Sequence, residues 1–471
     1  MVLKEQKIES LSEKGTKNLF VQKGATPKLS NQNNFQLVEL LANDFYNTNN
    51  YQSLCEKTVK ALGTSADVRA VKPLGQILLD NKKEEIRIAA VRSLYKISPI
   101  DALVPFLDLL IKALGDDSFH VQFFGMKTLV RMDNLAFRRV LETLLRDKNP
   151  RARIAAAKVL GEMGDLRAIG PLLKCLKDDY YRLRRAIAWV LGDLKNKKAI
   201  KPLIKALTDE RPEVKEAAAW SLGKLGSHRA TKMLINTLKN KEEPQYVRGN
   251  AAEALGTIGD VRGLEPLLNA LKDKNDWVRQ ASARGLGRLG DPRAVDSLIE
   301  NLKNRNYLTR EACAWSLGRL GCVRAVKPLV KAMIDSNDSV RESATEALKT
   351  MGNLAIGPLS QILRGQNGSI HDKTSAARVL GEIGGEKVIE PLLEGLSTSI
   401  PQVRMTCSVA LAKLGKPIIP VIISFLSQPK VEENEDLLTG ALRVLVSLSL
   451  SKEQLKPLVP LLLAIIFNGF S

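Results

Sequence analysis

The sequence has few residues of the kinds on which most catalytic and metal sites depend. Among its 471 residues there are three histidines and five cysteines. The histidines (His120, His228 and His371) lie far apart, and no two cysteines have the spacing of a metal site. No HExxH motif, nucleophile elbow or phosphate-binding glycine–lysine loop occurs. We therefore expect no catalytic residue, no metal and no cofactor, and reduced thiols of a cytoplasmic protein.

Long apolar segments and aromatic residues are also scarce. The apolar segment near the C-terminus, 458–467, is interrupted by Pro460 and is too short to cross a bilayer, so we expect no membrane span. Aromatic residues make up 5% of the chain, although hydrophobic residues make up 44%. Small Ala and Leu supply most of the apolar side chains, and this composition is typical of closely stacked helices.

Acidic residues are outnumbered by basic ones. The chain has 71 Lys and Arg against 51 Asp and Glu, which gives a formal net charge of +20. A balance this basic favours an acidic partner, either nucleic acid, an anionic membrane or an acidic protein. It is equally consistent with the solubility of a fold that exposes much of its surface.

What the sequence does contain is a phrase that recurs about every 31 residues. One copy reads VRQASARGLGRLG at 278–290, and the copy before it reads VRGNAAEALGTIG at 247–259. A fixed period of this size indicates a stacked array of helical repeats. We number each copy from its Arg, and this position zero is held in chain order by Arg87, Gln122, Arg153, Arg184, Lys215, Arg248, Arg279, Arg310, Arg341, Lys373 and Arg404.

Each period holds two helical stretches. The first is typified by RAVDSLIENLK at 293–303, and the second is the phrase itself, whose terminal Gly (Gly290 in this copy) indicates a left-handed C-cap. Asp and Asn in the loop before the phrase, as at 273–276, are N-cap candidates. We predict an all-α fold, an α-solenoid of the HEAT-like or armadillo type with about twelve two-helix repeats.

The predicted array does not fill the whole chain. Residues 1–34 carry no repeat and are rich in Lys, Asn, Gln and Ser, so we expect a polar, mobile tail. Residues 35–430 form the HEAT-like array. Residues 431–471 depart from the phrase, and we expect C-terminal helices that cap or continue the array.

Two positions of the phrase point to a binding face. Positions −1, +3, +7 and +10 are apolar or small in most copies and are expected in the core. Positions +5 and +9 vary between charge and Trp, lie one turn apart and form one stripe on the second helix, the helix that lines the concave face of solenoids. We predict that the partner is bound by the basic and aromatic residues of this stripe: Trp189, Trp220, Trp315, Arg284, Arg288, Arg319, Lys224, Arg92, Lys127 and Lys158.

Exposed Trp beside Arg is the composition of an interface hot spot. The alternative is that each Trp lies over the helix of its neighbour and covers Ala-rich surface. The Arg at position zero recurs too regularly for a role in specificity. We expect it to pair with loop carboxylates such as Asp276 or Asp338, or with carbonyls of a neighbouring repeat, and so to fix the stacking register.

The phrase V-R-x-x-A-A-x-A-L-G-x-L-G, followed by D-x-R-A-x-x-P-L, resembles the HEAT-like repeats of the phycobilisome lyase family over about residues 50–415. That family includes bilin lyase subunits, which attach linear tetrapyrroles to cysteines of antenna proteins, and chaperone-like assembly factors. The resemblance implies acidic phycobiliproteins as partners. The architecture also resembles deoxyhypusine hydroxylase, whose di-iron site needs His–Glu pairs that are missing here, and HEAT-like DNA glycosylases with a basic concave face.

We therefore expect a non-catalytic scaffold or assembly factor that binds an acidic protein partner on its concave face. Two alternatives stay open. One is a phycobilin lyase or an accessory lyase subunit that acts on phycobiliproteins, and the other is nucleic-acid binding through a basic groove.

Overall fold

A computed structural model describes residues 70–365, 369–428 and 435–448, together with Val59, Val431 and Val459. These residues form 24 α-helices joined by loops and short 3₁₀ turns, and they contain no strand. The predicted all-α class is therefore confirmed. The tail predicted at 1–34, the start of the array near residue 35 and most of the C-terminal region lie outside the described residues.

The helices alternate between a first and a second type along the chain. The first helices carry odd numbers: α1 (Val71–Asp80), α3 (Leu107–Ala113), α5 (Asn134–Arg146), α7 (Ile169–Cys175), α9 (Ile200–Ala206), α11 (Thr231–Lys239), α13 (Leu264–Ala270), α15 (Val295–Asn301), α17 (Val326–Ala332), α19 (Asn353–Arg364), α21 (Ile389–Leu396) and α23 (Ile419–Leu426). The second helices carry even numbers: α2 (Glu84–Lys96), α4 (Phe119–Met132), α6 (Pro150–Met163), α8 (Tyr181–Asp193), α10 (Pro212–Leu225), α12 (Gln245–Ile258), α14 (Asp276–Leu289), α16 (Tyr307–Leu320), α18 (Asp338–Met351), α20 (Ile370–Ile383), α22 (Pro401–Lys413) and α24 (Glu435–Ser447).

The chain divides after Cys175 into two compact units. The first unit contains α1 to α7 and the second contains α8 to α24. In both units the core consists mainly of Leu, Val, Ile and Ala from the inner faces of the helices. Val278, Ser282 and Leu286, at the predicted core positions −1, +3 and +7 of one phrase, are fully buried.

The ends of a second helix follow from its local sequence. Helix α14 begins after Asn275, whose side chain accepts hydrogen bonds from the backbone N–H groups of Trp277 and Val278 at 3.0 and 3.3 Å. It ends at Gly290, which has a φ of +76° that side chains with a Cβ rarely adopt. Asp291 then accepts the backbone N–H of Arg293 and caps the 3₁₀ turn before α15. The predicted caps are therefore confirmed in this repeat.

Successive second helices lie so close together that only small side chains fit between them. A Cβ placed on Gly192 would lie 2.5 Å from Ser221 Oγ, and one placed on Gly287 would lie 2.5 Å from Ser316 Oγ. Each serine also donates a hydrogen bond to the preceding second helix, Ser316 Oγ to the carbonyl of Ala283 at 2.7 Å. We call these contacts at positions +8 and +6 the small-residue seam, formed by Gly192, Ser221, Gly223, Ala254, Gly256, Gly285, Gly287, Ser316, Gly318 and Ala347.

The seam predicts that a single methyl group at Gly287 destabilises the second unit. In Gly287→Ala the new Cβ would also meet Ser316 Cα at 2.8 Å, so helices α14 and α16 have to separate. Overpacking of this kind costs roughly 1–3 kcal/mol. We expect a lower unfolding temperature by calorimetry.

Gly263→Ala is the matched control, because Gly263 has a φ of −75° and a Cβ there makes an ordinary contact with Leu255 at 3.5 Å. The equivalent 3₁₀ turns before α7, α9 and α15 carry Ala at this place. Replacing a Gly whose backbone suits Ala restricts the unfolded chain and stabilises by roughly 0.4–1 kcal/mol, so this variant should be at least as stable as the parent. Equal effects of the two substitutions would contradict the account of the seam.

Candidate functional site

Three of the arginines at position zero tie their own repeat to the loop of the next repeat by a bidentate ion pair. Arg184 is 7% exposed, and its Nε and Nη2 donate to the two carboxylate oxygens of Asp209 at 2.9 and 2.8 Å. Its Nη1 donates to the carbonyls of Asp178 and Asp179 at 2.8 and 3.0 Å. Bidentate contact of this kind is geometrically specific. Two more position-zero arginines bind the next loop in the same way: Arg87 with Asp116, and Arg310 with Asp335.

The structural role expected for these arginines is confirmed. Asp276 pairs with Arg279, and Asp338 pairs with Arg341. Of the two kinds of partner expected, the loop carboxylates are therefore found, and the carbonyls that accept from Nη1 belong to the arginine's own loop. The link to the neighbouring repeat comes instead from the aspartate of the following loop. We call the three bidentate pairs the arginine–aspartate ladder.

The aspartates of these loops are held in the ionised form. Burial alone would raise the pKa of Asp273, but hydrogen bonds from Lys241, the backbone of Asn275 and Arg248 lower it to about 2. Burial would likewise raise the pKa of Asp335, and hydrogen bonds from Arg310 and from a backbone N–H hold it below its usual value. Both carboxylates therefore stay charged at any physiological pH.

The predicted stripe lies beside the small-residue seam, and the seam brings stripe residues of successive repeats into contact. The rings of Trp189 and Trp220 lie 4.1 Å apart between centroids. Lys224 Nζ lies 4.1 Å from the Trp220 ring, and Arg319 lies 5.1 Å from the ring of Trp315. The three indoles are half-buried, so each is partly solvent-facing and partly packed, and both of the roles expected for them stay open. Helices α8 and α10 stand close enough for the rings of Trp189 and Trp220 to lie against each other.

Several cations of the stripe are paired with carboxylates of adjacent repeats. All these pairs are at least partly solvent-exposed, and such pairs contribute little to stability. The pairs and their N–O distances are Lys127 with Glu162 (2.7 Å), Lys224 with Asp193 (2.6 Å), Arg288 with Glu253 (2.9 Å) and Arg284 with Glu311 (3.4 Å). Arg92, Lys158 and Arg319 have no carboxylate partner among the described residues. The stripe is therefore less basic than its list of cations suggests.

Sequence reasoning missed an aromatic group beside the stripe in the first unit. Phe119 is 70% exposed, and Phe123 and Phe124 stand next to each other with ring centroids 5.3 Å apart. Arg92 lies 4.8 Å from the Phe124 ring, and Lys127 Nζ lies 5.6 Å from the Phe123 ring. The signal was the segment FHVQFF at 119–124, in an irregular copy that has Gln at position zero. Two predicted stripe cations are thus placed on aromatic rings.

Trp277, the tryptophan outside the stripe, packs against the preceding repeat. Its indole lies so close to Gly249 of α12 that a Cβ on this glycine would collide with the ring. Although Trp277 is 45% exposed, this contact gives it a packing role between α12 and α14.

Two of the described cysteines, Cys313 and Cys407, are buried thiols that are difficult to ionise. Complete burial raises the pKa of Cys313, and burial raises that of Cys407 to about 12. Over the residues that the structure describes, no group of three or more His, Cys, Asp or Glu side chains could hold a metal ion. No single helix in this part of the chain is long and apolar enough to cross a membrane, although α22 and the bent continuation Lys416–Leu426 pass that test together.

Comparison with known protein families decides the classification. The HEAT-repeat profile matches overlapping segments at 107–188, 169–256, 231–316, 264–349 and 297–372, which together span more than half of the chain. The chain belongs to the HEAT-repeat family. The profile described as the PBS lyase HEAT-like repeat matches residues 372–398 of this HEAT protein. The resemblance drawn from the repeated phrase is therefore confirmed at the level of the repeat. A search of curated proteins finds no match.

Solved structures show where this HEAT protein stands among solenoids. The chain is similar to Kap95p in its complex with RanGDP, with a TM-score of 0.53 and 15% identity over 93% of this chain and 70% of the other. It is similar to importin beta, with a TM-score of 0.52 and 12% identity over 97% and 72% of the two chains. It is also similar to the CpcE–CpcF phycocyanin lyase complex from Nostoc, with a TM-score of 0.31 and 21% identity over 53% of this chain and 94% of the other. The first two similarities confirm the HEAT solenoid fold alone.

The ionised loop aspartates predict a defined loss of stability in acid. The pKa of Asp273 is lower in the folded protein than the ordinary value near 4, so its charged form stabilises the fold above about pH 4. This stabilisation is lost as the pH falls from about 4 to about 2. In Asp273→Asn we expect a lower unfolding temperature at pH 7 and a smaller further loss between pH 4 and pH 2.

Asp296→Asn is the control, because Asp296 pairs with Arg324 at 3.2 Å but is 74% exposed. Its unfolding temperature should follow that of the parent at every pH. If Asp273→Asn and the parent lose stability in parallel below pH 4, the assignment of the acid-sensitive group is wrong.

Proposed function

We propose that this HEAT protein is a non-catalytic scaffold or assembly factor that binds an acidic protein partner on the face formed by its second helices. HEAT solenoids are a protein-binding architecture, because a row of equivalent helices presents a long continuous surface. The observation that carries the proposal is the alternation of cations and half-buried indoles along this face. Lys224 lies on Trp220, and Arg319 lies on Trp315.

This arrangement suits a partner with carboxylates around apolar groups. An indole that is half-buried is already held in place, so a partner that covers it orders little additional side chain. Arg319, above the Trp315 ring, remains able to pair with an acidic group, whereas Lys224 is already paired with Asp193. Arg92, Lys158 and Arg319 carry no carboxylate partner among the described residues. An acidic protein therefore gains most binding free energy by pairing its carboxylates with these three cations.

Similarity to other HEAT proteins supports a protein as the partner class. Kap95p is described as binding RanGDP and Nup1 in the structures that resemble this chain. The pairing of stripe cations with stripe carboxylates, such as Lys224 with Asp193, weakens the case for nucleic acid, because a phosphate-binding groove needs an uninterrupted positive surface.

A bilin lyase or accessory lyase subunit is the second candidate. One observation favours it, the match of residues 372–398 to the PBS lyase HEAT-like repeat. It predicts that the purified protein transfers a linear tetrapyrrole to the cysteine of an apo-phycobiliprotein subunit. The absence of covalent bilin in that reaction, with and without an added second subunit, would count against it.

The binding test compares a stripe variant with a variant of the opposite helices. Charge reversal in the double variant Lys158→Glu and Arg319→Glu should weaken binding of the partner, captured from native lysate and then purified, at least tenfold (about 1.4 kcal/mol). The matched control is Lys201→Glu and Lys232→Glu, since both lysines are exposed and belong to the first helices α9 and α11. The dissociation constants are measured by calorimetry.

Equal weakening by the two double variants would place the interface elsewhere. Circular dichroism melting curves show whether each variant is folded. Loss of the captured material on nuclease treatment, with an affinity that falls steeply with salt, would support the nucleic-acid alternative and contradict a protein partner.

A further inference from the structure

Arg279, at position zero of its repeat, lacks the bidentate aspartate partner that Arg184 and Arg310 have. In the ladder, Arg310 makes two sets of contacts. Its Nη1 donates to the carbonyls of Asn304 and Arg305, and its Nε and Nη2 donate to Asp335 at 2.7 and 2.6 Å. Arg184 makes the same two sets, with an aspartate 25 residues ahead in both cases.

Arg279 makes only the first set. Its Nη1 donates to the carbonyls of Asp273 and Lys274 at 2.7 and 3.1 Å, and its Nη2 pairs with Asp276. Arg279 is only 6% exposed, and its buried Nε has no hydrogen-bond partner. A buried N–H group without an acceptor is costly, because it loses its hydrogen bonds to water and gains none in the fold.

The cause is the residue 25 positions ahead, which is Asn304. In the next loop along, Asp335 Oδ1 accepts the backbone N–H of Asn337 at 2.9 Å. Asn304 Oδ1 accepts the backbone N–H of Asn306 at 3.0 Å in the same way. This bond fixes the orientation of the amide, so the donor Nδ2 replaces the second carboxylate oxygen of the aspartate. Nδ2 donates one hydrogen to Asn301 Oδ1 at 3.4 Å and has a second hydrogen to donate. A donor cannot accept from Arg279 Nε.

Arg279 and Asn304 line one open cavity between the α13–α14 loop and the α15–α16 loop, with a volume of about 660 Å³. The other charged residues of its wall are Lys272, Asp273, Lys274, Glu300, Lys303 and Arg305, so five cations face two carboxylates. Asp273 is already paired with Arg248 and Lys241. The four outer cations are exposed and have no ion pair among the described residues.

We propose that this cavity binds a carboxylate group, which accepts hydrogen bonds from Arg279 Nε and Asn304 Nδ2. The ligand's carboxylate takes the place that Asp209 and Asp335 occupy beside their arginines. A carboxylate fits better than phosphate, because two coplanar oxygens match the missing aspartate. Because Asp276 already binds the same guanidinium, a ligand with a single negative charge is favoured over phosphate, which carries more. The site lies at the N-terminal ends of the second helices and does not depend on the stripe being an interface.

The test uses two substitutions. One supplies the missing carboxylate beside Arg279, and the other removes the carboxylate beside Arg310. In Asn304→Asp we expect the ladder pair with Arg279 to form, which raises the unfolding temperature and abolishes any response to added carboxylate. In Asp335→Asn we expect the reverse, a lower unfolding temperature that is partly restored by acetate because Arg310 Nε now lacks its acceptor.

Sodium acetate and inorganic phosphate are the probes, and sodium chloride at equal ionic strength is the control. The readouts are the unfolding temperature and the ¹⁵N–¹H resonance of Arg279 Nε, identified by its loss in Arg279→Lys. Acetate should shift this resonance saturably in the native protein and should stabilise the fold more than chloride does.

Three results would overturn the proposal. The first is an acetate response of Asn304→Asp equal to that of the native protein. The second is an Arg279 resonance that follows ionic strength alone. The third is a saturable response to phosphate with none to acetate, which would reassign the cavity to phosphate.

Discussion

Close contact between successive second helices is the constraint on which the other features depend. Position +8 is Gly and position +6 is Gly, Ala or Ser along much of the second unit, and larger side chains would force the helices apart. Ser221 and Ser316 add buried hydrogen bonds across the same contact. Because the helices stand this close, side chains at +5 and +9 meet their equivalents in the next repeat. The stripe therefore behaves as one continuous surface within each unit.

The small-residue seam sets the distance between successive second helices, and the arginine–aspartate ladder sets the register in which successive repeats stack. A bidentate pair such as Arg184 with Asp209 has one good geometry, so it specifies how far each loop is displaced from the next. Buried ion pairs of this kind are sensitive to the loss of one partner. Arg279 lacks that partner, because Asn304 stands in the place of the aspartate, and its buried Nε is left without an acceptor.

The repeat made most of the fold predictable and only part of the candidate site. The second-helix pattern, the caps at Asn275 and Gly290 and the structural role of the position-zero arginines followed from spacing. The half-burial of Trp189 and Trp220 did not, because it depends on the distance between two helices, which a period along the sequence does not contain. The aromatic group at Phe119 was missed for a simpler reason, since its copy departs from the phrase.

The central claim is that the second-helix stripe is the surface on which an acidic protein is bound. Hydrogen–deuterium exchange of the chain alone and in complex with its purified partner tests it directly. The account predicts slower exchange on binding in the C-terminal halves of α8, α10, α14 and α16, where the stripe residues lie, and no change in the first helices α9, α11, α13 and α15. Protection confined to the first helices would contradict the claim.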